Sequence, residues 1–255
     1  MKTVFCSGAL GDTIVIAGAV VVLTGRYGRL RYACLPKYER SVRDIFATTS
    51  QVVILPITPE EVPLIVGEIR PEDLILINTP GAALCPPDFD RESWATWMYR
   101  QVDIPFAERW NSSPVKQAAK LVRQIPWPEG AAFLHDDAER GFAIEKFLRY
   151  PVVFQRVRKG EAESLLGYAQ AIEQAPEVHV IDSAFVHLAE SLHPRGALFL
   201  HRYARFWRRG WYDIPLRHKW TIIDDEDLQS RARAWHVLMS NLQMYPDRTM
   251  LRVPE

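Results

Sequence analysis

The residues best suited to chemistry fall in two short segments, one near each end of the chain. In the first, Val4-Phe5-Cys6-Ser7-Gly8-Ala9-Leu10-Gly11-Asp12-Thr13-Ile14, an apolar run gives way to a turn with two glycines and then to an aspartate. In the second, Val178-His179-Val180-Ile181-Asp182-Ser183-Ala184-Phe185-Val186-His187-Leu188, an apolar run meets Asp-Ser and then a helical pattern carrying a histidine. Ser183 is a good N-cap, and the free N–H groups behind it, with the positive end of the helix dipole, suit a phosphate or diphosphate. His187 stands four residues after Ser183, so both lie on one helix face. Asp12 falls at the start of the other helix, where a carboxylate gains ~0.3 to 1 kcal/mol from the dipole. It either caps that helix or looks into a cleft and takes a proton from an attacking hydroxyl. The glycines match neither GxGxxG nor GxxxxGK[ST], which argues against a nicotinamide dehydrogenase or a P-loop kinase.

Further polar residues follow strand-like runs. Ala131 to Leu134 leads into His135-Asp136-Asp137 and then Arg140, and Val152 to Gln155 leads into Arg156. In an open parallel sheet, ligands sit outside the carboxyl ends of the strands, where His135, Asp136, Arg140, Gln155, Arg156, Asp182 and His201 would gather. The acids and histidines have no metal-ligand spacing, so no metal is expected. Pairing of Arg140 or Arg156 with a diphosphate is the simpler expectation.

The elements that must position these residues alternate along the chain. Strands over Thr3 to Cys6, Leu30 to Leu35, Val52 to Ile57 and Asp73 to Asn78 interleave with helices over Thr13 to Leu23, Lys37 to Ala47 and Glu60 to Ile69. That is βαβ alternation, which predicts a parallel sheet covered on both faces. Prolines interrupt residues 79 to 127, around an aromatic helix from Arg91 to Val102, and Pro126-Trp127-Pro128-Glu129-Gly130 reads as a domain boundary. A second alternation follows: strands Val178 to Ile181, Ala197 to His201 and Thr221 to Ile223, and helices Glu161 to Gln174 and Ala184 to Leu192. An amphipathic helix from Glu226 to Leu242 closes the chain. The expected architecture is α/β, with two Rossmann-like parallel-sheet domains, 1–127 and 128–255, facing a cleft.

The 255 residues are 48% hydrophobic and 24% charged, an ordinary composition for a soluble globular protein. The apolar run Ile14 to Leu23 is short for a membrane span and is read as a buried helix. Cys6 and Cys34 lie in apolar runs and no cysteine spacing suggests a metal, so a reducing, cytoplasmic setting is expected. Formal net charge is +0, yet Phe199 to Trp220 interleaves Arg202, Arg205, Arg208 and others with Tyr203, Phe206, Trp207, Trp211 and Tyr212. That mixture can contact phosphates and stack on bases or sugars, or it can be a structural loop in which arginines cover aromatic surface.

Taken together, the two segments resemble the glycosyltransferases of the two-Rossmann-domain GT-B type, and within them the heptosyltransferase-like family 9. Gly11-Asp12-Thr13-Ile14 matches that family's Gly-Asp-x-Ile/Val loop. Asp182-Ser183-Ala184-Phe185-Val186-His187-Leu188-Ala189 matches its Asp-Ser/Thr-Gly-x-x-His-Leu-Ala corner, with Ala184 in place of the usual glycine. The resemblance implies a nucleoside-diphosphate sugar as donor substrate, no cofactor, and Asp12 as catalytic base. It places Gly11, Thr13 and Ser183 through His187, with Ala184 between them, at the donor. The terminal helix would return toward the N-terminal domain. The acceptor is left open, and a nucleic acid bearing hydroxymethylated bases is one alternative. A sugar-nucleotide epimerase, or a binding protein without transfer, is another.

Overall fold

Short runs of Val, Ile and Leu bounded by turns build two parallel sheets. The computed structural model describes residues 1–6, 8–77, 93–137, 144, 153–158, 160–202 and 215–224. The first sheet has strands β1 (Thr3–Cys6), β2 (Leu30–Cys34), β3 (Val52–Pro56) and β4 (Leu74–Ile77), in the order β3-β2-β1-β4. The second has β5 (Ala132–His135), β6 (Phe154–Arg156), β7 (Glu177–Ile181), β8 (Ala197–His201) and β9 (Trp220–Ile223), in the order β6-β5-β7-β8-β9. Every pairing is parallel. In each sheet the strand order reverses once, between β1 and β4 in the first and between β5 and β7 in the second. A crevice opens at such a reversal because the flanking loops depart to opposite faces. Both segments singled out in the sequence follow a strand at a reversal.

Helix α1 (Leu10–Tyr27) carries the first of them. It buries Thr13 through Val20 without interruption, because it is covered on all sides rather than amphipathic. Gly18 is part of the reason: a Cβ there would lie 1.9 Å from the carbonyl oxygen of Glu108, so the short helix α5 (Glu108–Asn111) rests on bare α1 backbone. The apolar run Ile14 to Leu23 therefore extends at both ends, to 18 residues. By length and composition alone α1 could cross a membrane, with mean hydropathy 1.4, and 56% of that window is buried inside the protein.

The remaining helices are α2 (Glu39–Ile45), α3 (Val62–Glu68), α4 (Trp94–Arg100), α6 (Val115–Ala119), α7 (Ala169–Gln174) and α8 (Ala184–Ser191). Two expected helices are shorter than the sequence implied. The first three residues after Leu35 form a 3-10 turn, Pro36–Tyr38, before α2, and the stretch before α7 is a 3-10 turn, Leu165–Tyr168, whose start is fixed by the Ser164 hydroxyl accepting from the Leu166 N–H. The proline-rich region holds α5 and α6, which were not expected, besides α4, which was. The helix expected over Glu226 to Leu242 lies outside the described residues.

The two sheets share one apolar core. α1 packs on α8, α5 and α4, while α2 packs on α6 and on the Leu165–Tyr168 turn. Side chains stitch the same seam: the Ser41 hydroxyl accepts from the Leu165 N–H at 3.0 Å, and Gln124 donates to the Leu166 carbonyl and accepts from the Gln170 N–H. The buried cluster accordingly runs unbroken from Val4 in the first sheet to Leu200 in the second.

Candidate functional site

The β7–α8 corner forms as its sequence implied. Ser183 leaves β7 in an extended conformation and its hydroxyl accepts from the Phe185 N–H at 3.3 Å, an N-cap. The same hydroxyl lies 3.1 Å from His135 Nδ1, at the end of β5, so the two strands flanking the reversal are tied by the residues expected at the ligand. The His135 ring also lies over Phe185, with centroids 4.2 Å apart. No acidic residue occupies the first turn of α8, although the buried Asp182 immediately precedes the cap. The dipole and the N–H groups not used by Ser183 leave this end of the helix receptive to an anion.

The β1–α1 corner is built differently. Ala9 is the N-cap and has no side-chain acceptor, so Asp12, three residues on, folds back and accepts from the Ala9 N–H at 2.5 Å. Asp12 thus caps its helix, one of the two roles the sequence allowed. Its side chain lies directly over Gly8, where any Cβ would come within 2.3 Å of the carboxyl carbon. Gly8 is required for this folded-back geometry.

The two corners meet. A Cβ on Gly11 would lie 3.1 Å from His187 Cδ2 and 3.3 Å from Ala184 Cα, so the first turn of α1 abuts the first turn of α8. His187 is buried, and Arg109 Nη2 approaches its Nδ1 at 3.3 Å. Guanidinium can only donate, so Nδ1 accepts and the neutral ring carries its proton on Nε2. Trp94 meets the ring edge-on at 5.6 Å. Arg109 itself is 2% exposed and lies over Phe106 and Trp110. Burial disfavours its charge, and the Glu190 carboxylate is the first influence offsetting that. Glu190, 1% exposed, accepts from the Arg217 and His218 backbone N–H groups and from Trp220 Nε1 at 2.6 Å. Arg109 also donates to the Pro215 carbonyl at 3.5 Å, so α5 and α8 each make polar contacts with the loop before β9, and Arg109 orients His187.

Solved structures share this arrangement of sheets. The iron-containing dodecameric glycosyltransferase TibC from enterotoxigenic E. coli H10407 aligns with a TM-score of 0.51 and 12% identity, over 95% of this chain and 77% of its own. The fold is of the GT-B glycosyltransferase type. The E. coli heptosyltransferase WaaC, solved with ADP-2-deoxy-2-fluoro heptose, aligns at a TM-score of 0.49 and 10% identity over 95% of this chain and all 100% of its own. A family 9 glycosyltransferase from Veillonella parvula DSM 2008 gives 0.41 and 12%, over 91% and 88%. No protein-family model and no curated protein sequence matches the chain.

Within this GT-B frame the expected site residues separate into groups. Gly11, Asp12, His135, Asp182, Ser183, Ala184 and His187 come together around the two reversals. Thr13 lies apart from them: its Oγ accepts from the Tyr32 hydroxyl at 3.0 Å, on the face of α1 turned into the first half. Arg156 is held by Asp136, whose side chain is 1% exposed, through contacts at 3.0 and 3.1 Å. The Arg156 side chain is about a third exposed. Gln155 sits beside Phe133 on the edge strand β6. His201, the last residue of β8, is fully buried, with its Nε2 3.1 Å from His179 Nδ1 and its ring tilted against the His179 ring. Arg202 is half-buried just after β8, and Arg140, Arg205, Arg208 and Trp207 lie outside the described residues. Among the described residues, no group of three His, Cys, Asp or Glu is arranged to hold a metal ion.

Arg109 and Glu190 were not singled out in the sequence. Arg109 sits 78 positions from His187 on a helix of one turn, in a region that read as proline-rich linker. A charged residue between Phe106 and Trp110 was the only local hint.

Proposed function

We propose that the protein is a glycosyltransferase that moves a sugar from a nucleoside-diphosphate donor to an acceptor hydroxyl. The observation carrying this reading is the abutment of the α1 and α8 N-termini, each at the strand-order reversal of its own sheet. It brings the first turn of α1, which carries Asp12, against the first turn of α8, which Ser183 caps.

Transfer by displacement at the anomeric carbon develops negative charge on the leaving diphosphate and positive charge on the sugar. The α8 N-terminus is oriented before reaction to meet the first of these. Asp12 accepts the acceptor's proton as the new bond forms. His187, neutral and held by Arg109, fixes the spacing of the two corners. The reading assigns no metal to the site, and the sugar-nucleotide preference is open.

The test is product analysis with a panel of ADP-, UDP- and GDP-sugars. Release of nucleoside diphosphate that requires an acceptor, and that persists after exhaustive chelation, is the expected result. Interconversion of the donor sugar without acceptor would make the protein an epimerase instead, and tight donor binding with neither outcome would make it a binding protein.

A further inference from the structure

The first half contains a cavity of about 460 Å³ that the proposed transfer has not used. It lies at the carboxyl ends of β1 and β2, floored by Phe5, Cys6 and Cys34 and walled by Tyr38, Ile57, Val62 and Val66, with Leu76 of edge strand β4 also on its lining. Gly8 and Thr13 line it as well, so the turn that carries Asp12 forms part of its wall. Thr13 is two residues beyond Gly11 and so about 200° round the helix axis from it. Gly11 faces α8; Thr13 faces the cavity. Asp12 lies between them in angle as in sequence, and its carboxylate rests on Gly8 at the cavity wall.

Among the described residues, the lining contains no charged side chain. Its polar groups are neutral and largely committed: the Tyr32 hydroxyl donates to Thr13, and burial first, then the nearby Asp12, pushes the Cys6 thiol up to about 12. A phosphate or carboxylate entering here would lose its hydration with no cation to replace it. Apolar surface would gain by burial, and several hundred cubic ångströms is the size range of pockets that enclose small organic ligands.

We infer that this cavity receives the apolar body of an uncharged alcohol or phenol whose hydroxyl reaches Asp12, making the acceptor an apolar hydroxyl compound rather than a polyanion such as nucleic acid. The inference rests on the transfer reading above, since it names the acceptor of that reaction. The donor would then enter from the α8 side of the Asp12 turn and the acceptor from the other.

The probe is 2-naphthol, followed by its own fluorescence on titration with the full chain. Saturable binding is expected, weakened about tenfold or more by Val66→Trp, which fills the cavity from α3, and kept by Val66→Ala. Circular dichroism establishes that both variants fold, and ADP binding is expected to be the same in both as in the wild type. Failure of 2-naphthol to bind, equal binding to Val66→Trp, or its displacement by duplex DNA overturns the inference. If ADP binds and 2-naphthol does not, the acceptor assignment alone falls. If 2-naphthol binds in the cavity but no sugar nucleotide releases its diphosphate with any alcohol, the transfer reading falls and takes the acceptor assignment with it.

Discussion

The two corners are alike in backbone and differ in the charge of their caps. Each is a strand, a tight turn and a helix at the reversal of a parallel sheet, but α8 is capped by the neutral Ser183 hydroxyl and α1 by the Asp12 carboxylate reaching back from the first turn. A helix N-terminus holds partial positive charge that draws an anion. At α1 that charge is already answered by the protein's own carboxylate, so the corner repels a diphosphate and suits a neutral hydroxyl. At α8 the first turn has no acid and the attraction remains available to a ligand. Under the proposed transfer, one motif geometry would serve two partners, with the capping residue deciding which.

The variant that tests this difference hardest is Asp12→Asn. Asparagine keeps an oxygen for the Ala9 N–H, so the cap and the fold survive, but the proton acceptor is lost. General-base removal is expected to lower kcat by ~10² to 10⁴ while the dissociation constant of the nucleoside diphosphate stays within about twofold. Turnover equal to wild type would leave Asp12 with capping alone, and the contrast between the corners would be structural only.

Acid and alkali should separate the two halves as well. In the second sheet, Glu177 accepts from His179 Nε2, whose Nδ1 then accepts from His201. Burial first, and then His179, lowers His201 to about 3 from its ordinary 6.5. Between those values the unfolded chain binds a proton that the native chain does not, so stability is full above about pH 6.5 and falls as pH drops toward about 3, by about 1.4 kcal/mol for each unit of depression expressed. In the first sheet Cys6 is raised to about 12 from 9.0, so its contribution is full below pH 9 and is lost as pH rises through that window. Hydrogen exchange resolved by strand is expected to show β7 and β8 loosening first in acid, and His201→Phe to remove part of that acid slope. Uniform loosening of both sheets would remove this distinction between the halves.

Gly11→Ala addresses the abutment itself. The new methyl would lie 3.1 Å from His187, whose ring is pinned by Arg109 and Trp94 and cannot easily move aside. A cost of about 1 to 3 kcal/mol is expected, read as a lower melting temperature, with kcat falling further than the stability loss explains because the corners are pushed apart. An unchanged melting temperature would mean the helices meet less closely than the coordinates place them.

How far the sequence disclosed this arrangement depended on whether the deciding contact was local. The strands were legible because four or five consecutive apolar, often β-branched residues must be buried on both faces. The α8 corner was legible because its cap, Ser183, is adjacent to the N–H it satisfies. Helices α5 and α6 were not, since four or five residues cannot hold a helix alone and these rest on α1 and α2 instead. The partner of His187 was hidden for the same reason: Arg109 becomes relevant only once Gly18 lets α5 close on α1. Thr13 was grouped with its neighbours in the motif, whereas the helical turn sets its hydroxyl against Tyr32.

Ser183→Ala gives the smallest expected effect and the finest discrimination. Losing an N-cap hydroxyl costs about 1 kcal/mol of stability, and here it also releases His135 Nδ1 from its contact across the reversal. If the α8 N-terminus only ends a helix, nothing beyond that loss should follow. If it holds the donor, the loosened first turn presents its N–H groups less well, and nucleoside diphosphate affinity should fall by about tenfold while an uncharged nucleoside binds as before. Ser183→Asp separates the alternatives further, because an aspartate caps the helix as well as serine does but brings to α8 the charge that Asp12 brings to α1. A variant that is as stable as wild type yet unable to bind diphosphate would show that cap charge, rather than cap geometry, distinguishes the two corners.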